Sequence, residues 1–299
     1  MSNPSVENVY TRQEAKELTK KHFWKLVAMM AIVYGIAYAI SMGGTALLTA
    51  TGNEAAYMVG YVVVILVVSL LSSGLMLGLL TALIGLARGQ QSITVGAVFS
   101  RMGQLLKAFG LGLWVGLKTL LWMLPGYVLL IAGIVMTSGM STSANPEEGA
   151  AVMTLVMLAG MVLIFALVFP AVYRYMLSTF ILADHPETGV FECVKQSKAL
   201  MKGHKWQAFK LIVPIILVMY VVMLVVAVAV GALGSIVGNS AALTGIMSIV
   251  MLIVMFALIL YYCLRMYLCY AIFYLKRVAE MNPAAQPAAE DDITSTITF

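Results

Sequence analysis

The sequence predicts an all-α polytopic membrane protein: six transmembrane helices in three hairpin units, each preceded by a cytoplasmic amphipathic helix, with both termini inside. Three observations predict it. Of 299 residues, 62% are hydrophobic and 10% charged, against roughly 45–50% and about 25% in a soluble domain. The apolar residues gather into runs, and about 20 such residues suffice to span hydrocarbon. The basic residues fall on alternate sides of those runs. A soluble enzyme, a secreted disulfide scaffold and a disordered chain are excluded by the first observation alone.

Residues 1–25 read as a cytoplasmic amphipathic helix. Thr11 and Glu14 have capping-box spacing, and Arg12, Lys16 and Lys20 recur at i, i+4 and i+8 along one face. Six apolar segments follow: Leu26–Leu48, Tyr57–Leu86, Phe109–Met136, Ala150–Phe180, Phe209–Ile236 and Leu243–Leu275. Several exceed the hydrocarbon thickness, so they must tilt, kink or project into the cytoplasm. Pro125, Pro170 and Pro214 are the expected kink points. Residues 26–278 thus form a membrane domain, and 279–299, without periodicity, read as a disordered cytoplasmic tail. The polar first 25 residues and the absence of a small-residue cleavage site after the first apolar run argue against a cleaved signal peptide.

Orientation follows from the loops. Segments 49–56, 137–149 and 237–242 hold Glu54, Glu147 and Glu148 and no Lys or Arg. The opposite set holds Arg12, Lys16, Lys20, Lys21, Lys25, Arg88, Arg101, Lys195, Lys198, Lys202, Lys205, Lys276 and Arg277. The positive-inside rule therefore places both termini in the cytoplasm, with Cys193 inside and Ser143 outside. The hairpins also resemble one another. Gly103 through Leu111 aligns without gaps to Gly203 through Leu211, and Arg174 through Ile181 to Arg265 through Ile272. A true repeat and a shared demand for bases beside aromatic anchors both explain this.

The stretch Leu182-Ala183-Asp184-His185-Pro186, followed by Ser197-Lys198, Met201 and Gly203, is the most distinctive. With Thr11-Arg12, Glu14, Lys16, Trp24-Lys25, Arg88-Gly89, Pro125-Gly126 and Tyr173-Arg174-Tyr175, it resembles the bacterial integral membrane family called domain of unknown function 975. The resemblance implies a fold and a bacterial cytoplasmic (inner) membrane location. It implies no activity.

Function must come from individual residues. Asp184 and Glu187 have capping-box spacing for a helix with Pro186 in its first turn. Lys195, Lys198, Lys202 and Lys205 follow at spacings of three, four and three on one face of that helix, which Gly203 ends. Such a helix reads as lying on the anionic inner leaflet, each lysine worth about 1 kcal/mol. The four should then contribute in similar small steps. Recruitment of a cytoplasmic or membrane protein partner is the other reading. Lys118, Arg174 and Arg265 fall inside apolar runs, where a charge costs roughly 2.5–3.5 kcal/mol or more. Arg174 and Arg265 lie among tyrosines, as snorkelling residues do. Lys118 is flanked by Trp114 and Trp122 at i−4 and i+4, so it either snorkels or binds.

No carboxylate lies within a span to make a proton relay. His22, His185 and His204 have no metal-ligand spacing, and Cys193, Cys263 and Cys269 form no framework. GxxxG pairs at Gly74/Gly78, Gly112/Gly116 and Gly234/Gly238 read as close helix packing. No enzyme, cofactor, metal or nucleic-acid function is expected. The expected role is a transport or permeation component for a small anionic or amphipathic solute, bound by Lys118, Arg174, Arg265, Trp114 and Trp122. The alternative is a non-transporting scaffold or accessory subunit binding anionic lipid or a partner through Lys195, Lys198, Lys202 and Lys205.

Overall fold

The computed structural model describes residues 4–90, 92–140, 146–237 and 241–281, and they are helical almost throughout. The polar N-terminal stretch is α1 (Pro4–Lys21). The first two apolar segments are α2 (Phe23–Ala50) and α3 (Glu54–Ala87). Two short 3-10 turns, Val95–Phe99 and Met102–Gln104, lead into α4 (Leu105–Met140) and then α5 (Pro146–Tyr175). Two short helices follow, α6 (Ser178–Asp184) and α7 (Val190–Leu200), before α8 (Lys205–Val237) and α9 (Ala241–Met281). Six helical stretches are long and apolar enough to cross a membrane, which by length and composition makes this a multi-pass membrane protein. The tail beyond 281, Ser143, Gly238 and the side chains of Glu147 and Glu148 lie outside the described residues.

Length decides where the core sits. At 1.5 Å per residue, the 34 residues of α3 reach about 51 Å, whereas hydrocarbon is about 30 Å thick. The surplus gathers at one end. Leu26, Met29 and Met30 of α2, Leu79 and Leu83 of α3, Leu211 of α8, and Leu264 and Leu268 of α9 are fully buried there. Residues 34–73, by contrast, contain no buried side chain among those described. In the far half of α4 and α5 the buried positions are glycines: Gly126 faces Ile164, Gly133 faces Val156 and Gly160 faces Leu130. The molecule is thus tightly packed at one end, while its helices expose apolar flanks toward the other.

Helices adjacent in sequence pair most extensively: α2 with α3, α4 with α5, α8 with α9. The turn after α2 is capped by Asn53, whose Oδ1 accepts from Ala55 and Ala56 N–H at 3.0 and 3.2 Å. At the packed end, α3 stops in a Schellman motif. The Gln90 N–H donates to the Gly85 carbonyl at 3.1 Å and the Gly89 N–H to Leu86 at 3.0 Å. Gly89 supplies the left-handed residue the motif needs, with φ of 87°. Pro125, Pro170 and Pro214 lie inside α4, α5 and α8, each removing one backbone donor.

Three local readings change. Helix α1 starts at Pro4, so Thr11 sits mid-helix and donates to the Glu7 carbonyl at 3.0 Å rather than capping. Asp184 ends α6, and α7 begins after Gly189, so Asp184 and Glu187 form no capping box. The lysine row is also broken. Lys195 and Lys198 belong to α7, Lys202 lies in the turn before Gly203 (φ 83°), and Lys205 opens α8. The four therefore do not share one helical face. Of the apolar residues of α7, Cys193, Val194 and Leu200 are buried in protein, while Phe191 is exposed.

Gly78 meets the turn before α4 so closely that an added Cβ would overlap the Val98 carbonyl, while Gly116 faces open space. Backbone cannot yield as a flexible side chain does. Gly78→Ala should therefore cost about 1–3 kcal/mol, read as a lowered melting temperature in detergent. Gly116→Ala should leave it unchanged or slightly raised.

Candidate functional site

Two polar assemblies occupy the packed end. The first is built on the turn between α6 and α7. The Asp184 side chain is only 6% exposed and lies 2.6 Å from the Arg88 guanidinium, which the end of α3 presents. The Tyr274 hydroxyl of α9 donates to the same Oδ2 at 3.0 Å. One residue earlier, the Ala183 carbonyl accepts from Thr81 Oγ1 at 3.1 Å and from Arg101 at 3.2 Å. Lys107 of α4 donates to the Pro186 carbonyl at 3.1 Å. One short turn thereby ties α3, α4 and α9 together. A cleft of about 450 Å³ opens beside it, lined by His185, Glu187, Gln196 and Tyr274 together with apolar Ile181, Leu200 and Val278.

The second assembly lies where α4, α5 and α7 meet. Helical side chains lean toward their own N-terminus, and the N-terminus of α4 is at the packed end. Lys118 accordingly reaches back. Its ammonium stands 4.7 Å from the centre of the Trp114 ring and 5.9 Å from that of Tyr175. Lys198 of α7 approaches the same Tyr175 ring at 5.8 Å. The Arg174 guanidinium lies 6.0 Å from the Trp122 ring. Trp114 meets Phe191 edge to face at 5.0 Å, and its indole N–H is buried without an acceptor. Ser197 fixes α7 against α5 by donating to the Arg174 carbonyl at 3.0 Å. Cation–ring contacts of this kind are worth about 0.5–2 kcal/mol each, more when desolvated.

Of the five residues expected to bind solute, four form two cation–ring pairs along α4, Lys118 with Trp114 and Arg174 with Trp122. Arg265 stands apart on α9, where its field and that of Arg12 fall on Cys269, and its Nε is buried without a partner. Among the described residues, lysine and arginine ion pairs form at Arg88, Lys195 and Arg277, and not at Lys118, Arg174, Lys198 or Arg265. Lys195 turns to Glu192 at 3.7 Å and is highly exposed.

A third set of contacts docks α1. Arg277, 4% exposed, pairs with Glu7 at 2.9 Å and with Glu280 at 2.6 Å. Lys276 donates to Thr11 Oγ1 at 2.9 Å, and Gln207 to Glu7 at 3.0 Å. Where α1 gives way to α2, burial and the charges of Lys21 and Lys25 hold His22 below the ordinary imidazole value. Burial, chiefly, pushes the Cys193 thiol up, so it stays protonated. No cluster of three or more potential metal ligands occurs among the described residues.

Arg88, Arg101, Lys107, Tyr274, Glu7 and Arg277 were not singled out as site residues by the sequence. Their partners lie far along the chain, and only the rule that a buried carboxylate needs a cation hints that Asp184 should have one.

A family model described as "Protein of unknown function (DUF975)" matches residues 4–216. No curated protein and no solved structure matches the chain. The matched range contains Asp184 and Arg88, while Tyr274 and Arg277 lie beyond it.

Removing Arg88 leaves the Asp184 carboxylate with the Tyr274 phenol at 3.0 Å and the His185 ring at 3.6 Å. Arg88→Met should destabilise by about 1–3 kcal/mol. In a double-mutant cycle with Asp184→Asn, thermal melts should show a non-additive pair, the second change costing little once the first is made.

Proposed function

The chain belongs to the DUF975 family of proteins of unknown function, and from that premise we propose a non-transporting scaffold of the bacterial cytoplasmic membrane that engages the anionic inner leaflet. In this reading the six spans form three hairpins, the packed end faces the cytoplasm, and both termini are inside. The pairing of sequence-adjacent helices supports the hairpins. The gathering of the basic residues around the packed end supports the orientation.

The observation that carries the scaffold reading is the packing itself. A conduit between the helices would have to emerge at the basic end, where Met29, Met30, Leu79, Leu83, Leu264 and Leu268 fill the space with no exposed surface. Around that plug stand exposed aromatics of the kind that favour a membrane interface: Trp24 at 80%, Phe191 at 68% and Trp206 at 57% exposure. Lys25, Lys195 and Lys202 are exposed near them in sequence. Bases beside aromatic rings attract and seat an anionic headgroup layer.

A permeation role for a small anionic or amphipathic solute draws on one observation. An apolar cleft of about 520 Å³ lies along α3 and α4, lined by Ser69, Ser73, Gly112 and Gly116 among others. In vesicles of anionic phospholipid loaded with a small anionic dye, the purified protein should release no more dye than empty vesicles, while retaining anionic lipid through purification. Release that Lys118→Met abolishes would favour permeation instead.

Topology is tested separately. Cys193 is fully buried, so it cannot report sidedness, whereas the Lys195 side chain is 81% exposed. With Cys263 replaced by Ser, an impermeant maleimide should label Ser143→Cys in intact cells. Lys195→Cys should be labelled only after permeabilisation. The opposite pattern reverses the orientation.

A further inference from the structure

We infer that Lys118 and Lys198 together hold the phosphate of an anionic phospholipid, whose acyl chain lies in the apolar groove between α4 and α7. The inference deepens the scaffold reading and rests on it, naming one specific site on the leaflet-facing end.

Three observations converge on this place. The two ammonium groups approach the same Tyr175 ring, at 5.9 and 5.8 Å, from different helices. Neither forms an ion pair among the described residues, and the acid on α7, Glu192, is turned to Lys195. Lys107, the next cation along α4, is held by the Pro186 carbonyl. Both cations act on the surroundings of one ring, and an anion placed beside that ring is attracted to both.

The second observation is the groove. A pocket of about 340 Å³ is lined by Gly110, Leu113, Trp114, Leu117, Val190 and Phe191, so the Trp114 ring that Lys118 faces is one of its walls. Its lining is almost wholly apolar, so it suits hydrocarbon and gives a free phosphate nothing to bind. The third is depth. Lys118 reaches from inside an apolar helix toward the packed end, and α7 with Lys198 lies outside the six candidate spans. Charge therefore meets apolar surface at the level of a headgroup. An amphiphile with one negative head matches this geometry better than a soluble anion or a peptide.

The site makes a claim the summed field of many lysines does not. Binding should depend on Lys118 and Lys198 far more than on Lys195 or Lys205. The test uses the purified full chain, with retained lipid counted by native mass spectrometry and melting followed on adding phosphatidylglycerol, phosphatidylcholine or inorganic phosphate. Phosphatidylglycerol should bind and protect. Lys118→Met and Lys198→Gln should each weaken it by about tenfold or more, as loss of a charge-assisted contact does. Lys195→Gln and Lys205→Gln should leave it within about twofold, as a mobile surface charge does. Gly110 faces open space, so Gly110→Leu should fold, fill the groove and weaken lipid binding with every charge intact.

Similar small losses at all four lysines would overturn the site and leave the scaffold reading standing. Inorganic phosphate protecting as well as phosphatidylglycerol would reject a lipid in favour of a soluble anion. No preference of the wild type for phosphatidylglycerol over phosphatidylcholine would sink both the site and the reading beneath it.

Discussion

An ionised carboxylate cannot be withdrawn from water without a cation or several donors to face it. Asp184, at 6% side-chain exposure, sets that condition for the whole packed end. Its nearest cation is Arg88, 2.6 Å away, which the Schellman turn at Gly89 places at the end of α3. Its second donor is Tyr274, so α9 has to continue well past the length a bilayer demands. The neighbouring carbonyls of Ala183 and Pro186 then collect Arg101 and Lys107. A seven-residue helix and a turn, which bury little by themselves, become the point at which three long helices are registered against each other.

The long helices make this possible because they outreach the membrane. Their apolar surface divides into two uses. Near the packed end it is buried against protein, side chain on side chain. Farther along, the same kinds of residue are exposed: Tyr38, Leu47, Val62, Phe165, Leu224 and Ile253 are all well exposed, as befits contact with hydrocarbon. Hydrophobicity alone cannot distinguish the two uses, since lipid tails are as apolar as leucine. The distinction is made by which end carries polar partners to close the backbone and side-chain hydrogen bonds.

This is also why the sequence revealed some features and hid others. Spans were legible, because apolar run length is a local property: the six segments read from the sequence correspond to the six candidate spans. The family was legible in Leu182 through Pro186 and its companions. Lys118 with Trp114 was legible as an i−4 pair on one helix. Helix starts were less so. The capping-box spacing at Asp184 and Glu187 is real, but the ion pair of the buried Asp184 with the half-exposed Arg88, 96 residues away, outweighs a terminal cap on offer three residues on. The lysine row failed for a related reason. A spacing of three, four and three specifies a face only if the helix is unbroken, and the turn around Gly203 breaks it. Nothing local could connect Glu7 to Arg277, or show that Tyr175 would be the ring on which Lys118 and Lys198 converge.

The docking of α1 has a bearing on how the molecule is made. Its contacts from Thr11 to Lys276 and from Glu7 to Arg277 span 265 and 270 residues. At about 5–20 residues per second of synthesis, α1 exists for on the order of ten to fifty seconds before its partners emerge. During that interval Glu7 and Asn8 gain their Gln207 contacts first, once α8 has emerged, while Arg277 and Lys276 reach Glu7 and Thr11 only with α9. The clasp closes only once α9 has been delivered. The last contacts α1 makes therefore join the two ends of the described chain, and a chain interrupted before α9 holds its first helix through α8 alone, with Glu7 and Thr11 lacking Arg277 and Lys276.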